Sequence, residues 1–497
     1  MALLALLLNP ERIFLAVSVC LVYILFYSIS HLSQWQESAR WLFTGPKLLA
    51  EKYVPGVSFT IQTPERKYTL VSSEASILEL SQAKEDQLSL VATAEEVFQP
   101  AHTMNGIELN RLGLQHRILR SLTLRLPSYQ DPLTALARQA LTNELKGKQL
   151  DQGWVTLSIF SYAQKAVAKT NTYTFYGEQF TRDAAFLDAA VQYPQDVFVA
   201  AEALRCVPKF FAPVMSSIVT RNHRASRHLI SKLLPVIKER LDAEEHGNTK
   251  GETPRDYIQH IVKLYPDKSP DRALRMVQQT LALWFAGVHQ PAMTIFYALV
   301  DLCTYPEYIE RLRKEIDDSV NSIGSIDINS LLLLDSFLKE SARMNASESI
   351  SLRRKAMVPY HFKDGTSVPL GDWACVPQRA IMRDPSIYAN AHVFDGTRFI
   401  RNATRLSKID GVAQSKFTDT SPFYPLWGLG KQACPGRFYA AYIIKIILVE
   451  IIQNYDIKLD ASPTRRCFTW RSSVLPIPSS TFMIRRRSFS DHNTEPA

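Results

Sequence analysis

The feature that most limits how this chain can fold is a long helical pattern from Asp271 to Thr304, which stops before Tyr305-Pro306. At about 1.5 Å per residue, a helix of this length spans about 50 Å. Such a helix must cross the whole body of the protein, so other elements have to pack around it. Its apolar run Leu281–Val300 has the length of a membrane span, but polar residues and a proline at its centre favour a buried core helix.

Shorter patterns on either side of this helix indicate the fold class. Helical periodicity dominates from Asp131-Pro132, which predicts an N-cap and a first-turn proline, to about residue 345. Alternating β-branched and aromatic residues predict a hairpin over residues 57–72, and short strands follow between residues 354 and 377 with Asp364-Gly365 as a turn. With 46% hydrophobic residues, the chain of 497 residues is expected to form one large domain, mostly α with small β-sheets (α+β).

The N-terminal region contains an uncharged apolar run at residues 13–29. Its length is at the short end of what spans a bilayer, so we interpret it as a transmembrane anchor after a short segment at residues 1–12. A cleaved signal peptide is the alternative, because Ser28-Ile29-Ser30 resembles a cleavage site. We expect a linker at residues 30–55, the main folded domain at residues 56–487 and a disordered tail at residues 488–497.

The charges that flank the anchor favour a cytosolic body. Arg12 precedes it closely, whereas Arg40, Lys47 and Lys52 follow it. A body on the other side of the membrane would tend to carry glycans at two acceptor sequences. These are Asn345-Ala346-Ser347 and Asn402-Ala403-Thr404.

Overall charge and cysteine spacing restrict the class of protein. The net charge of +9 would suit an acidic protein partner or an anionic lipid surface, and we expect no nucleic-acid partner. The six cysteines lie far apart, without the close spacings of a zinc site, a redox pair or a disulfide-rich scaffold. A reducing compartment fits this pattern best.

The strongest local signal is a glycine-rich loop around a cysteine, followed by a helical run over Phe438–Ile452. The loop reads Trp427-Gly428-Leu429-Gly430-Lys431-Gln432-Ala433-Cys434-Pro435-Gly436-Arg437. Glycines let the backbone bend around a sulfur, and a helix N-terminus stabilises negative charge. We therefore expect a lowered pKa at the Cys434 thiol, and a thiolate is what a soft iron ligand must be. A structural cysteine in a turn is the alternative.

Two further motifs precede this loop. In Glu340-Ser341-Ala342-Arg343 the i, i+3 spacing places a carboxylate and a guanidinium on one helix face. Phe394-Asp395-Gly396-Thr397-Arg398-Phe399 places a second arginine in a turn. In this order and at these separations, the three motifs resemble those of the cytochrome P450 family of haem-thiolate monooxygenases, and look closest to its fungal secondary-metabolism members. The resemblance covers essentially the whole chain.

The resemblance implies a cytochrome P450 fold behind one N-terminal transmembrane helix, with haem b as the cofactor. It implies that Glu340, Arg343 and Arg398 form a structural ion-pair triad. For His116, which the resemblance implies contacts a haem propionate, the alternative is a position on an ordinary basic helix face. The cofactor-binding residues that the resemblance implies are Cys434 as axial ligand of the haem iron, His116 and Arg120 as propionate contacts, Arg353 or Arg354 as a further propionate partner, and Trp427, Gly428 and Gly436 in the loop.

The chain departs from the family pattern in the long helix and in the cysteine loop. Gln432 replaces the usual basic residue of the loop, and Trp427 the usual phenylalanine. The segment Ala286-Gly287-Val288-His289-Gln290-Pro291 resembles the family's oxygen-binding segment, with Gly287, His289 and Gln290 as its catalytic candidates.

In that segment His289 stands at the position of an acid and Gln290 at that of a threonine. Pro291 cannot donate to the Gly287 carbonyl, which predicts a kink with room for oxygen and water. Our hypothesis is that His289 relays protons, and a buried structural histidine is the alternative.

The activity implied by the resemblance is oxidation of a hydrophobic small molecule by dioxygen, with electrons from NADPH through a flavoprotein reductase. The favoured substrate is a terpenoid or meroterpenoid, followed by a polyketide or alkaloid. The expected location is the endoplasmic reticulum membrane. Two alternatives stay open, a haem-thiolate isomerase or dehydratase and a non-catalytic membrane protein of the same fold. Basic residues near the cysteine loop would dock the reductase, with a solvated face as the alternative: Lys431, Arg437 and Lys445. Pocket walls are expected from Phe98–Asn105, Val197–Phe211, Trp284–His289, Ser349–Leu352 and Val474–Ser479.

Overall fold

A computed structural model describes residues 32–107, 112–148, 151–247, 254–266, 269–321, 324–401, 416–460 and 466–487. The predicted anchor at residues 13–29 and the predicted tail at residues 488–497 lie outside these ranges. The α-helices are α1 (Leu32–Lys52), α2 (Glu74–Gln82), α3 (Leu90–Phe98), α4 (Pro100–Thr103), α5 (Leu112–Arg125), α6 (Gln130–Leu145), α7 (Ile159–Tyr176), α8 (Ala184–Leu204), α9 (Ala212–Val219), α10 (Arg224–Glu245), α11 (Tyr257–Leu264), α12 (Arg272–Thr304), α13 (Glu307–Asp318), α14 (Leu332–Met344), α15 (Gln378–Ile381), α16 (Arg398–Arg401) and α17 (Arg437–Asn454).

The strands form small sheets beside the helical body. They are β1 (Phe59–Gln62), β2 (Lys67–Leu70), β3 (Leu88–Ser89), β4 (Val155–Ser158), β5 (Ser351–Ala356), β6 (Tyr360–His361), β7 (Ser367–Val368), β8 (Trp373–Val376), β9 (Tyr455–Leu459), β10 (Cys467–Trp470), β11 (Ser473–Pro476) and β12 (Thr481–Arg486). One sheet has the order β1-β2-β8-β5-β3 and another β4-β12-β9, while β6-β7 and β10-β11 are separate antiparallel pairs. This arrangement confirms the predicted α+β class.

The long helix α12 is the centre of the body. It packs against α7, α8, α10, α14 and α17, and large side chains such as Trp284 and Phe296 are buried in those contacts. Among the described residues, α12 is the one helix whose length and hydropathy would suit a membrane span, and most of its apolar stretch lies inside the protein. The core-helix interpretation therefore fits the structure. The helix is continuous through Pro291, so the predicted kink does not interrupt it.

Most predicted elements are present, with small shifts of their ends. Strands β1 and β2 form the predicted hairpin, and Gly365, at φ +86°, lies in the turn between β6 and β7. Helix α6 begins at Gln130, one residue before Asp131, so Asp131 lies in its first turn and is not the N-cap that the sequence predicted. Its buried face contains Leu133, Ala137, Ala140 and Leu141.

Candidate functional site

A cavity of about 650 Å³ lies between α12, the cysteine loop, α5 and β5. Such a volume is typical of sites that enclose a cofactor or a small ligand. Its apolar lining includes Phe98, Phe198, Phe285, Met293 and Leu352. Four of the five predicted wall segments contribute to it, but the last wall is formed by Trp470–Ser473 and not by Val474–Ser479.

The cysteine loop presents Cys434 to this cavity. The loop is closed by a hydrogen bond of 2.6 Å from the backbone N–H of Cys434 to the carbonyl of Trp427, whose indole N–H donates to the Phe417 carbonyl at 2.8 Å. Gly428 has a φ of +76°, and a side chain there would lie 3.3 Å from the carbonyl oxygen of Gln432. The positive φ favours glycine here, and a Cβ would make a tight contact with the backbone as well. Trp427, Gly428, Cys434 and Gly436, the loop residues for which the resemblance implies cofactor binding, all line the cavity.

The electrostatic setting of the Cys434 thiol differs from the sequence prediction. Burial raises its pKa, although the backbone N–H groups of Gly436 and Arg437 and the Arg437 guanidinium act in the opposite direction. Burial outweighs the lowering by these groups, so the prediction of a lowered pKa was wrong. A bound metal cation deprotonates a coordinating thiol outright, so ligation needs only that the sulfur faces the metal.

The predicted ion-pair triad is present and fully buried. Arg343 bonds Glu340 through Nε to Oε2 at 2.7 Å and through Nη2 to Oε1 at 2.8 Å. Arg398 Nε donates to the same Oε2 at 3.0 Å, and the Asp395 backbone N–H donates to Oε1 at 3.0 Å. The remaining guanidinium N–H groups donate to backbone carbonyls, including those of Met382 and Ala389. The triad therefore joins α14 to the segment that precedes the cysteine loop.

The predicted oxygen-binding segment of α12 forms the wall across the cavity from the loop. Ala286 and Gln290 are exposed to the cavity, and Gly287 is partly exposed. The Oε1 atom of Gln290 accepts a hydrogen bond of 3.0 Å from the Ser347 hydroxyl, so its position is fixed by a residue beyond α14. Sequence reasoning missed Ser347, because no local pattern links two residues 57 positions apart.

His289 lines the cavity but is 3% exposed. Its ring lies 5.0 Å from that of Phe198 and 6.2 Å from that of Phe160, centre to centre. Nδ1 is 3.2 Å from Nε2 of Gln164, and Nε2 has no partner in the described part of the chain. Burial lowers the pKa of His289 to about 3, so the ring is neutral at physiological pH. A relay through His289 would therefore have to take up a proton and release another without a stable imidazolium. The relay stays a hypothesis.

The predicted propionate contacts lie in different settings. His116 and Arg120 are on α5, but the cavity-facing residues of that helix are Gln115 and Leu119. Arg353 lines the cavity, yet it is already ion-paired with Glu348. Arg354 is 3% exposed, burial lowers its pKa to about 10, and its Nε has no partner among the described residues.

A cluster of charges at the cavity wall was not predicted from the sequence. Arg471 donates from Nε to Glu202 at 2.9 Å and lies 2.7 Å from Glu65. Arg205 and the Trp470 indole also bond Glu202, each at 2.9 Å. The cluster joins the end of α8, the β1–β2 turn and the β10–β11 hairpin, which lie far apart in sequence.

Side-chain contacts argue against two roles considered from the sequence, glycan attachment at Asn345 and partner docking at Lys445. Asn345 donates to Asp301 Oδ2 at 2.9 Å and lines the cavity, so it is a poor glycan acceptor on either side of a membrane. Asn402 lies outside the described residues. Lys445 is 5% exposed and bonds Asp335 at 2.9 Å, so it is not available to a partner, contrary to the prediction.

Comparison with known proteins gives the family. The chain matches the profile of the family described as Cytochrome P450 over residues 49–484. It belongs to the cytochrome P450 family. Cytochrome P450 monooxygenase 151 of Postia placenta is 30% identical over 448 residues, which cover 88% of each chain. Cytochrome P450 monooxygenase olcJ of Penicillium canescens is 30% identical over 390 residues, 76% of this chain and 71% of the relative.

The fold is that of solved P450 structures as well. Retinoic acid-bound cyanobacterial CYP120A1 has a TM-score of 0.68 at 16% sequence identity, over 91% of this chain and 96% of that one. This P450 is an enzyme whose cofactor is haem. The residues present fit that group, because Cys434 lines the cavity and, next to the lining Arg353, the buried Nε of Arg354 has no hydrogen-bond partner among the described residues and could bond a haem carboxylate.

Proposed function

We propose that this P450 hydroxylates a hydrophobic small molecule. One oxygen atom of O₂ enters a C–H bond of the substrate and the other leaves as water, while NADPH supplies two electrons, one at a time, through a flavoprotein reductase. The observation that carries this proposal is the cavity itself. Cys434 faces it from one side, Ala286 and Gln290 face it from the other, and aromatic and aliphatic side chains enclose the rest.

Each wall of the cavity has a distinct task in this proposal. Haem held by Cys434 supplies the activation of dioxygen, which thiolate donation favours. Gln290, fixed by Ser347, would hold a water or a polar substrate group beside Ala286 with its amide N–H donors. The rings of Phe98, Phe198 and Phe285 would hold the substrate against the reacting centre and exclude water.

We further propose that the substrate is a secondary-metabolite intermediate, with a terpenoid or meroterpenoid favoured over a polyketide or alkaloid. The apolar lining of the cavity and the fungal origin of the relatives support this class. The charged cluster around Arg471 lies at the cavity wall and its members are paired with one another, so the cavity offers no unpaired charge there for an ionic substrate.

The proposed partners are a reductase and a membrane. Exposed Lys431 lies on the cysteine loop, and exposed Arg117 and Arg120 lie on α5, whose Leu119 packs beside Gly436. This basic face would suit an acidic reductase. Large apolar side chains are exposed on α1 and before α10, as a lipid surface requires: Trp35, Phe43, Phe210, Phe211 and Val214. A single-pass anchor in the endoplasmic reticulum membrane with a cytosolic body remains our proposal for its location.

The test is turnover with purified components. Candidate terpenoids are incubated with the enzyme, a fungal reductase, NADPH and ¹⁸O₂, and the product should gain one labelled oxygen atom. The alternative of a haem-thiolate isomerase or dehydratase is favoured by one observation, the absence of an acid–threonine pair at His289 and Gln290. Product formed without NADPH and O₂ would establish that alternative.

The relay hypothesis for His289 has its own test. His289→Ala should raise the peroxide released per NADPH oxidised, because a proton path to the oxygen site is lost. Phe160→Leu, which alters the ring beside His289 but leaves the imidazole, is the matched control. Unchanged coupling in His289→Ala would leave only the structural role.

A further inference from the structure

Pro291 leaves a carbonyl of α12 without its usual donor. In a regular helix the N–H of residue 291 would donate to the carbonyl of Gly287, but proline has no N–H. Gly287 and Pro291 both line the cavity, so this carbonyl belongs to the wall that faces Cys434. An unbonded carbonyl at this place would attract water into a wall that is otherwise largely apolar.

Asn171 on the neighbouring helix α7 supplies the missing donor. Its Nδ2 donates to the Gly287 carbonyl oxygen at 2.9 Å, and Asn171 is 1% exposed. The orientation of the amide is fixed, because a carbonyl can only accept and the amide nitrogen must therefore face it. A residue 116 positions away in sequence thus replaces a hydrogen bond that the helix cannot make itself.

The other side of the same amide is held by the helix that follows the cysteine. The hydroxyl of Tyr439 donates to Oδ1 of Asn171 at 3.0 Å and also contacts the Thr174 hydroxyl. Tyr439 is 4% exposed and lies on α17, which begins three residues after Cys434. The amide therefore connects the wall that carries Gly287 to the helix that carries the cysteine loop.

We propose that Asn171 is a positioning residue for the oxygen-binding segment. It keeps the Gly287 carbonyl bonded, so that this carbonyl does not draw water into the wall, and it fixes the spacing of that segment from the cysteine loop through Tyr439. The inference rests on the proposed monooxygenase function for its effect on coupling. Its effect on the structure does not depend on turnover.

The test is a double-mutant cycle between Asn171 and Pro291. Asn171→Leu keeps the approximate volume but removes both hydrogen bonds, whereas Pro291→Ala restores a backbone N–H to the Gly287 carbonyl. We expect Asn171→Leu to speed amide hydrogen exchange in the peptide over residues 284–294 of the haem-loaded protein about two- to tenfold, as loss of one hydrogen bond implies. The same substitution in the Pro291→Ala background should have less than a twofold effect.

Coupling gives a second readout. With reductase and substrate, Asn171→Leu should raise the peroxide released per NADPH oxidised severalfold, and Pro291→Ala should reverse the increase. Thr172→Val is the matched control, since Thr172 is buried on the same helix and its hydroxyl donates within that helix, to the Ala168 carbonyl at 2.7 Å.

Two results would overturn the inference. One is an equal effect of Asn171→Leu on exchange in both backgrounds. The other is loss of haem loading in Asn171→Leu that Pro291→Ala does not restore, which would mean a general structural role. If instead the wild type forms no NADPH-dependent product while the exchange cycle behaves as expected, the proposed function fails and the positioning role stands.

Discussion

Replacing Arg471 by methionine removes the cation at the centre of the buried cluster on the cavity wall. The Arg471 side chain is 8% exposed and serves two carboxylates, Glu202 at 2.9 Å and Glu65 at 2.7 Å. The backbone N–H of Arg471 donates to the Leu42 carbonyl of α1 at 2.8 Å, so the hairpin remains attached to α1 in the variant. Methionine keeps the length of the apolar stem but leaves Glu65 without its ion-pair partner.

The size of the effect follows from the pKa of Glu202. Burial alone would raise this pKa, but Arg205 and Arg471 outweigh burial and lower it from 4.5 to about 2. At about 1.4 kcal/mol for each tenfold change in proton affinity, this corresponds to about 3 kcal/mol of stability. Arg205 would retain part of that in the variant, whereas unpaired Glu65 would add a cost. We expect Arg471→Met to lower the free energy of unfolding by about 3 kcal/mol at pH 7.

The pH dependence has a definite sign. The folded-state pKa of Glu202 is depressed, so its contribution is fully present above pH 4.5 and is lost as the pH falls toward 2. The difference between wild type and Arg471→Met should therefore shrink below pH 4.5. Urea titrations at pH 7 and pH 4 measure it, with Arg182→Met as the control, because the exposed pair of Arg182 with Glu178 contributes only about 0–1 kcal/mol. A difference below about 1 kcal/mol at pH 7 would refute this reasoning.

Two further predictions concern the cofactor and its support. Glu340→Gln should lower the free energy of unfolding by about 3–5 kcal/mol, since Arg343 and Arg398 would be left as buried cations facing an amide. The haem content per purified chain should fall as well. Full haem content and unchanged urea unfolding would contradict the structural role of the triad. Arg354→Met should weaken haem retention about tenfold, measured by haem transfer to apomyoglobin, because a charge-assisted bond to a haem carboxylate is lost. Arg353→Met should have a smaller effect, because Arg353 is already paired with Glu348. An equal loss in both variants would contradict the choice of Arg354.

The parts that the sequence predicted are those with local signals. The cysteine loop is one contiguous segment, the Glu340–Arg343 pair is set by helical spacing, and the long helix α12 is marked by its length between Asp271 and Thr304. Each of these depends on neighbours within a few residues, where helix geometry and glycine conformation determine the outcome.

The parts that the sequence did not predict depend on long-range packing. Gln290 and Ser347, Asn171 and Gly287, and the cluster around Arg471 join residues that are 57 to 406 positions apart. No periodicity carries information on such pairs. The neutral state of His289 was missed for the same reason, because its pKa is set by burial among residues of other elements.

The most direct test of the account is whether the Cys434 sulfur binds the haem iron. The purified protein is reduced, treated with carbon monoxide and compared by absorption with Cys434→Ala and with Cys303→Ser, a control at another partly buried free cysteine. We predict the long-wavelength absorption band of thiolate-bound haem in the wild type and in Cys303→Ser, and its loss in Cys434→Ala. A wild type that lacks this band, or a Cys434→Ala variant that keeps it, would contradict the central claim.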